Sequence, residues 1–325
     1  RTLIIFGQGA IRCHPYVLRE MRAAKEMTGE AASIEFDDAF TSHIGHTLSN
    51  GVRTFVHGIT SSRLGQVPRN GAAETRHYYR FCSRLAAAFA FLADVSMLAM
   101  GGALKRKEKI SGRLGDVLSM LYLISATLKH YEDQGRVKED LPLLRWAVRD
   151  AAYQAQQAID AILSNFPVKS LATLLRWTIF PLGMSFRPPL DSRNHECAKI
   201  VLEPGEARDR LTAGIYVPKS ESDPAGALEA AFVAAIACEP IDEKLRKAVK
   251  KGKIVPQPGI DLGSSGIQNK IITVEELALW QRKETLRRNV IKVDDFPQDF
   301  GRAETIAKLS QEKVQSEKTS TAKAA

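Results

Sequence analysis

The chain has 325 residues, 46 Lys+Arg against 37 Asp+Glu, and a formal net charge of +9; 44% of its residues are hydrophobic and 26% charged. A chain of this size buries about three quarters of the surface it exposes when unfolded. That composition excludes a collagen-like, disulfide-scaffold or broadly disordered protein. No apolar run reaches the roughly 18 residues of a membrane span, which argues against an integral membrane protein.

The length predicts two domains or one large helical unit. Residue 1 is Arg, and no secretory signal pattern follows it. The expectation is a fragment or processed product whose catalytic part lies upstream. The four cysteines, Cys13, Cys82, Cys197 and Cys238, form no C-x-x-C pair. They read as free thiols of a reducing cytoplasm, packed on helices as small hydrophobes. Cys13-His14 and His195-Glu196-Cys197 lack the second spaced pair that a four-ligand metal site needs.

In chain order, Leu3 to Phe6 is a short apolar run entering Gly7-Gln8-Gly9, and Ala10 to Met27 reads as helix with a kink or late start at Pro15. Phe36 to Leu48 is a second amphipathic segment. Residues 51–70 carry Gly58, Gly65 and Pro68 and read mainly as loop, although Val52 to Ile59 can remain helical. Ala73 to Met100 is a long Ala-rich helix with a packing stripe of Leu85, Phe89, Leu92, Ser96 and Ala99. Gly101-Gly102 ends it, and Ser111 is the expected N-cap of the next helix.

That next helix repeats Leu114, Val117, Leu118, Leu121, Ile124 and Leu128 at i, i+3, i+4, i+7. Burying these side chains, at about 1.5–3 kcal/mol each, outweighs any propensity term. Pro142 opens another helix, with Leu144, Val148, Ala151, Ala155, Ile159 and Ile162 on its apolar face. Three long helices with short connections predict an antiparallel bundle, and the fold class is all-α.

Ser170 to Met184 is apolar, with Arg176 inside and Trp177 beside it. It is too short to span a bilayer; it either packs on the bundle, the favoured reading, or lies on a membrane surface. Helices are expected over Cys197–Leu202, Asp223–Cys238 and Ile241–Lys251. A loop is expected over Gly252–Gln268, and a capping-box helix from Thr273 to about Arg288. Gly301 to Ala325 is Lys, Glu, Ser, Thr and Ala without aromatics, and is expected to be disordered.

Charge and chemistry concentrate in few places. Residues 51–150 hold 16 Lys+Arg against 9 Asp+Glu. The densest run, Lys105, Arg106, Lys107 and Lys109 with Arg113 beyond, can meet phosphates of nucleic acid, lipid or coenzyme A; a solvated loop leading into a helix is the plainer reading. Gly7-Gln8-Gly9 mimics a dinucleotide fingerprint, but its third glycine position is Arg12. His43 and His46 share a helix face at a spacing that can hold a metal, but no carboxylate sits at the matching spacing, so half-buried or capping histidines are the expected reading. Asp94, inside an apolar helix, needs a partner such as Arg84 or Arg113, the preferred reading, or a functional role. No G-x-S-x-G elbow is present. Asp294-Asp295 reads as an exposed turn.

The opening block Arg1-Thr2-Leu3-Ile4-Ile5-Phe6-Gly7-Gln8-Gly9-Ala10-Ile11-Arg12-Cys13-His14-Pro15-Tyr16-Val17-Leu18 resembles the bacterial-type C-terminal region of long-chain acyl-CoA dehydrogenases of fatty acid β-oxidation. Asp94-Val95-Ser96-Met97, Ile110-Ser111, Arg113-Leu114-Gly115-Asp116, Asp140-Leu141-Pro142-Leu143, Ala152-Tyr153-Gln154-Ala155, Asn165-Phe166-Pro167 and Val293-Asp294-Asp295-Phe296 are similar too. The resemblance weakens between 190 and 270.

It implies an FAD-dependent oxidation of acyl-CoA to trans-2-enoyl-CoA, with a Glu base in an E-G-x-x segment just before the block resembling Arg1-Thr2-Leu3. No catalytic residue of this chain follows from it. It further implies that residues 1–30 end the dehydrogenase helical domain, that 31–300 form a C-terminal helical extension, and that 301–325 form a tail. The expected partners are the dehydrogenase core and, through it, acyl-CoA, with FAD held by the parent enzyme. The chain alone is expected to be inactive. Lys105, Arg106, Lys107, Lys109, Arg113, Arg176 and Trp177 are the candidate membrane or phosphate contacts, on a cytoplasmic protein peripheral to the inner membrane. The rival reading is a stand-alone basic helical module for nucleic acid or a membrane surface. Nucleic acid is disfavoured because no stacking aromatics interleave the basic residues.

Overall fold

The computed structural model describes residues 9, 11–256, 260–292, 302 and 305–307. Among them every regular element is a helix, so the all-α expectation holds. The chain divides into two compact units, Arg1–Ala213 and Gly214–Ala325. This is a partition by packing; the division at 30/31 was one of resemblance.

In the first unit the helices are α1 (Val17–Glu26), α2 (Glu30–Ile59), α3 (Arg76–Met100), α4 (Glu108–Asp133), α5 (Leu141–Ser164), α6 (Lys169–Ile179), α7 (Asp191–Leu202) and α8 (Glu206–Thr212). The α4–α5 hairpin is its backbone. Leu114, Val117, Ile124, Val148, Ala152, Ala155, Ile159 and Ile162 are fully buried between these helices and α3. The i, i+3, i+4, i+7 pattern of α4 therefore faces inward as its sequence demands. α3 is buried on more than the one expected stripe: Leu92, Ala93, Asp94, Val95 and Ser96 are all buried, because α2, α4 and α5 pack around it.

Several local expectations change. The break at Pro15 is a late start: α1 begins at Val17, and the His14 ring takes the N-capping role, its Nδ1 accepting from the Tyr16 and Val17 amides at 3.2 and 3.1 Å. The glycine-bearing stretch after Leu48 does not become a loop until Thr60. Gly51 and Gly58 lie on the buried side of α2, where a Cβ would come within 3.0 Å of the Phe91 ring and 2.6 Å of the Pro181 ring. They mark close approach rather than chain reversal.

Ser111 does not cap α4, which starts a turn earlier; its buried hydroxyl donates to the Leu104 carbonyl at 2.7 Å. Ala73–Arg106 is long and apolar enough to cross a bilayer by length and composition, unlike the run-length expectation, but half of its apolar window is buried inside the unit, as in a core helix.

The second unit contains α9 (Pro224–Ala237), α10 (Glu239–Lys250), α11 (Leu262–Gln268) and α12 (Val274–Ile291). Its core is Cys238, Ile241, Leu245, Ala248, Ile254, Ile272 and Trp280. Asp242 accepts from Trp280 Nε1 at 2.9 Å and from Lys283 Nζ at 2.8 Å, tying α10 to α12. The capping box forms as predicted: Thr273 Oγ1 accepts from the Glu276 amide, and the Glu276 carboxylate accepts from the Thr273 amide.

The expected loop at 252–268 is a helix in its last part. Asp261 caps α11, and the Cβ positions of Gly263 and Gly266 point into Trp280 and Leu245. The Leu3–Phe6 run with Gly7 and Gln8, the Asp294-Asp295 turn and nearly all of 301–325 lie outside the described residues.

Candidate functional site

An ordinary amphipathic helix buries its apolar stripe and exposes its polar one. In α2 the order is reversed. Its buried residues are Ala39, Asn50, Gly51, Thr54, His57 and Gly58. Its outer side carries Ile34 and then, at three- and four-residue steps, Phe36, Phe40, Ile44, Leu48, Val52, Phe55 and Ile59, each between 36% and 68% exposed. The Phe36 and Phe40 rings stack at 5.9 Å. Small residues let α2 lie close against α3 and Pro181, and the large side chains are left on the far side. A continuous apolar row of this length on a folded surface marks a face built to be covered.

At the inner edge of α2 lies a polar nest. Asp94, with its side chain 3% exposed, is 3.0 Å from His14 Nε2 and 4.0 Å from His43 Nε2. The Thr47 hydroxyl donates to its other oxygen at 3.0 Å. His43 Nδ1 sits 2.8 Å from Glu20 Oε1. Burial holds the neighbouring His46 below the usual histidine range, with the Asp94 charge opposing.

The expected Asp94 partners were wrong. Arg84 donates to Ser185 Oγ at 2.8 Å and stands over the Phe186 ring, and Arg113 reaches the Ala161 carbonyl. The carboxylates missing near His43 in sequence arrive from α1 and α3. Asp94 in an apolar helix and the His43/His46 pair were sequence signals of the nest, but their convergence was not, because the Asp94 partners His14 and Thr47 lie 80 and 47 residues away.

The residues singled out for phosphate or membrane contact come together at one end of the bundle. Lys105, Arg106, Lys107 and Lys109 are exposed around the turn into α4. Arg113 donates to the last turn of α5 through Ala161 O at 3.4 Å. Arg176 pairs with Asp160 at 2.5 Å and donates to Ser164 Oγ at 3.2 Å. Two of the candidate cations thus serve the C-terminal end of α5, where positive charge is favoured.

α6 packs inward through Ala172, Leu175 and Ile179, as favoured. Trp177 and Leu174 stay outside at 73% and 61% exposure. The hollow at the basic turn is lined by Arg106, Lys107, Glu108, Lys109 and Ile110 only. That hollow offers no apolar slot for a flavin ring.

His195 bonds the Asp191 carbonyl and Cys197 the Pro142 carbonyl, so they do not converge on a site. Cys13 is exposed and Cys238 buried, and all four thiols are free.

The family model for the bacterial-type C-terminal region of acyl-CoA dehydrogenase matches residues 11–296. The chain belongs to this family. No solved structure matches it. The match takes in both compact units and the whole of α2, so the inverted helix and the polar nest are features of an acyl-CoA dehydrogenase C-terminal region. The all-helical architecture agrees with that membership.

Proposed function

We propose that this chain is the C-terminal part of an FAD-dependent acyl-CoA dehydrogenase that oxidises long-chain acyl-CoA to trans-2-enoyl-CoA in fatty acid β-oxidation. Its role is to scaffold the catalytic core. The glutamate base, the flavin and the acyl-CoA pocket belong to that core, and no step of the reaction is assigned to residues of this chain. The supporting observation is the apolar outer row of α2, within the family match and next to α1. The core would cover it.

The exposed lysines at the α4 turn, with Trp177 and Leu174, suit a second contact: an anionic membrane surface on the cytoplasmic side. There each basic residue contributes about 1 kcal/mol.

The test places Leu48→Glu and Val52→Glu together in the enzyme that includes the core. Both side chains are mostly exposed, at 68% and 57%. The expected result is an unchanged helical signal with loss of flavin retention and dehydrogenase turnover. Full activity in the double variant would remove this reading.

A further inference from the structure

We propose that His14, His43 and Asp94 form a binding site for one divalent transition-metal ion of the zinc class. The site does not depend on the dehydrogenase reading. The three side chains come from the entry to α1, from α2 and from α3, and their ligand atoms all lie within 4.8 Å of one another. Zinc–ligand bonds of about 2.0–2.1 Å in tetrahedral geometry set ligand atoms roughly 3.4 Å apart. The Asp94 Oδ1 distances to His14 Nε2 and His43 Nε2, 3.0 and 4.0 Å, bracket that value. The longer one is outside hydrogen-bond range. Two groups can share an ion at that distance although they do not bond each other.

The surroundings are those of a ligand set. His43 Nδ1 faces the Glu20 carboxylate at 2.8 Å. A proton held there leaves the Nε2 lone pair on the Asp94 side, the carboxylate–histidine arrangement that orients metal-binding imidazoles. Thr47 donates to Asp94 Oδ2 at 3.0 Å, which leaves Oδ1 for the ion.

Charge points the same way. The Asp94 and Glu20 side chains are 3% and 17% exposed, and among the described residues neither pairs with a lysine or arginine. Two such carboxylates call for compensation, and one divalent ion supplies it. Three protein ligands leave a fourth position for water.

His14 must adjust. Its Nδ1 accepts from the Tyr16 and Val17 amides at 3.2 and 3.1 Å, so Nε2 carries the proton when no ion is bound. Ligation through Nε2 puts the proton on Nδ1, against the Tyr16 and Val17 amide N–H groups, so the ring must turn away from them and the start of α1 loses both contacts.

The experiment is a Co²⁺ titration of the chelator-treated full chain, followed by its visible d–d bands and by competition with Zn²⁺. One Co²⁺ per chain, with the intense bands of four-coordinate cobalt and displacement by Zn²⁺, is expected. His43→Gln abolishes the bands, Glu20→Gln weakens binding by about 10–100-fold, and His130→Gln, at an exposed histidine on α4, leaves it unchanged. Far-UV circular dichroism confirms that each variant is folded. His43→Gln and Glu20→Gln alter only part-buried side chains and serve if an Asp94 variant does not fold. Absence of stoichiometric Co²⁺ binding, or binding that survives His43→Gln, overturns the site.

Discussion

Gly45 and Gly58 lie on the same helix, and replacing each by alanine should have opposite effects. Alanine in a helix interior gains about 0.8–1.0 kcal/mol over glycine from propensity alone. At Gly45 a new Cβ meets nothing within 4 Å. Gly45→Ala should therefore stabilise the first unit by close to that full amount. At Gly58 the Cβ falls 2.6 Å from both Cγ and Cδ of Pro181 and 3.6 Å from the Ile179 carbonyl. A proline ring cannot rotate away, so either α2 or the α6–Pro181 corner must shift. Overpacking of this kind costs about 1–3 kcal/mol. Net of the propensity gain, Gly58→Ala should be neutral to about 2 kcal/mol destabilising.

Urea denaturation read by circular dichroism compares the two variants with the parent. With m near 1–3 kcal/mol/M, their midpoints should separate by about 0.3 M or more. Equal stabilisation by both substitutions would refute the close approach of α2 to Pro181. It would also undo the explanation of why α2 buries glycines there.

Two further outcomes are expected. His57 is buried at 6% exposure, its Nδ1 has no hydrogen-bond partner among the described residues, and burial, reinforced by Arg53 and Arg84, pushes its pKa below the usual value. The folded state then binds fewer protons than the unfolded one as pH falls. Its contribution is full above about pH 6.5 and is lost as pH drops toward the folded value. The urea midpoint should decline on acidification through that range, and His57→Gln should flatten the decline; an identical slope would contradict the assignment. Thr273→Ala removes the capping box of α12 and should cost the second unit about 1 kcal/mol. Trp280 fluorescence reports that loss within the unit, while Trp146 and Trp177 belong to the first unit.

The helices of the bundle were legible because their chemistry is local. α4 and α5 announce themselves by a period that needs only a window of a few turns, and Thr273-Val274-Glu275-Glu276 spells its own cap. Glycine left helix and loop both open over Val52–Ile59, where the helix holds, and misled over Gly252–Gln268. Gly51 and Gly58 in α2, and Gly263 and Gly266 in α11, resemble loop punctuation in one dimension. In three dimensions each lets a ring or a leucine approach the helix backbone. The same local reading placed Ser111 at a cap, whereas its hydroxyl serves the turn before it. The polar nest was hidden for a different reason. Asp94 and His43 stand out singly in the sequence, but only the packing of α1 and α3 on α2 gathers them with His14 and Glu20.

The energetics of α2 limit the kind of partner it can hold. Its eight outer apolar side chains are on average about half exposed. At about 1.5–3 kcal/mol for burying each fully, covering the row contributes roughly 6–12 kcal/mol. Association of two free proteins costs an estimated 4–15 kcal/mol in lost translational and rotational freedom alone. The row by itself thus holds a separate protein weakly or not at all. A partner in the same polypeptide meets it at a high effective concentration, and most of that cost is absent. The inverted face of α2 therefore suits a tethered core, as an acyl-CoA dehydrogenase C-terminal region would have, better than a free ligand or a passing macromolecule. If the core were instead supplied as a separate chain, the same row should fail to retain it at micromolar concentration, and size-exclusion chromatography of the mixed parts distinguishes the two cases.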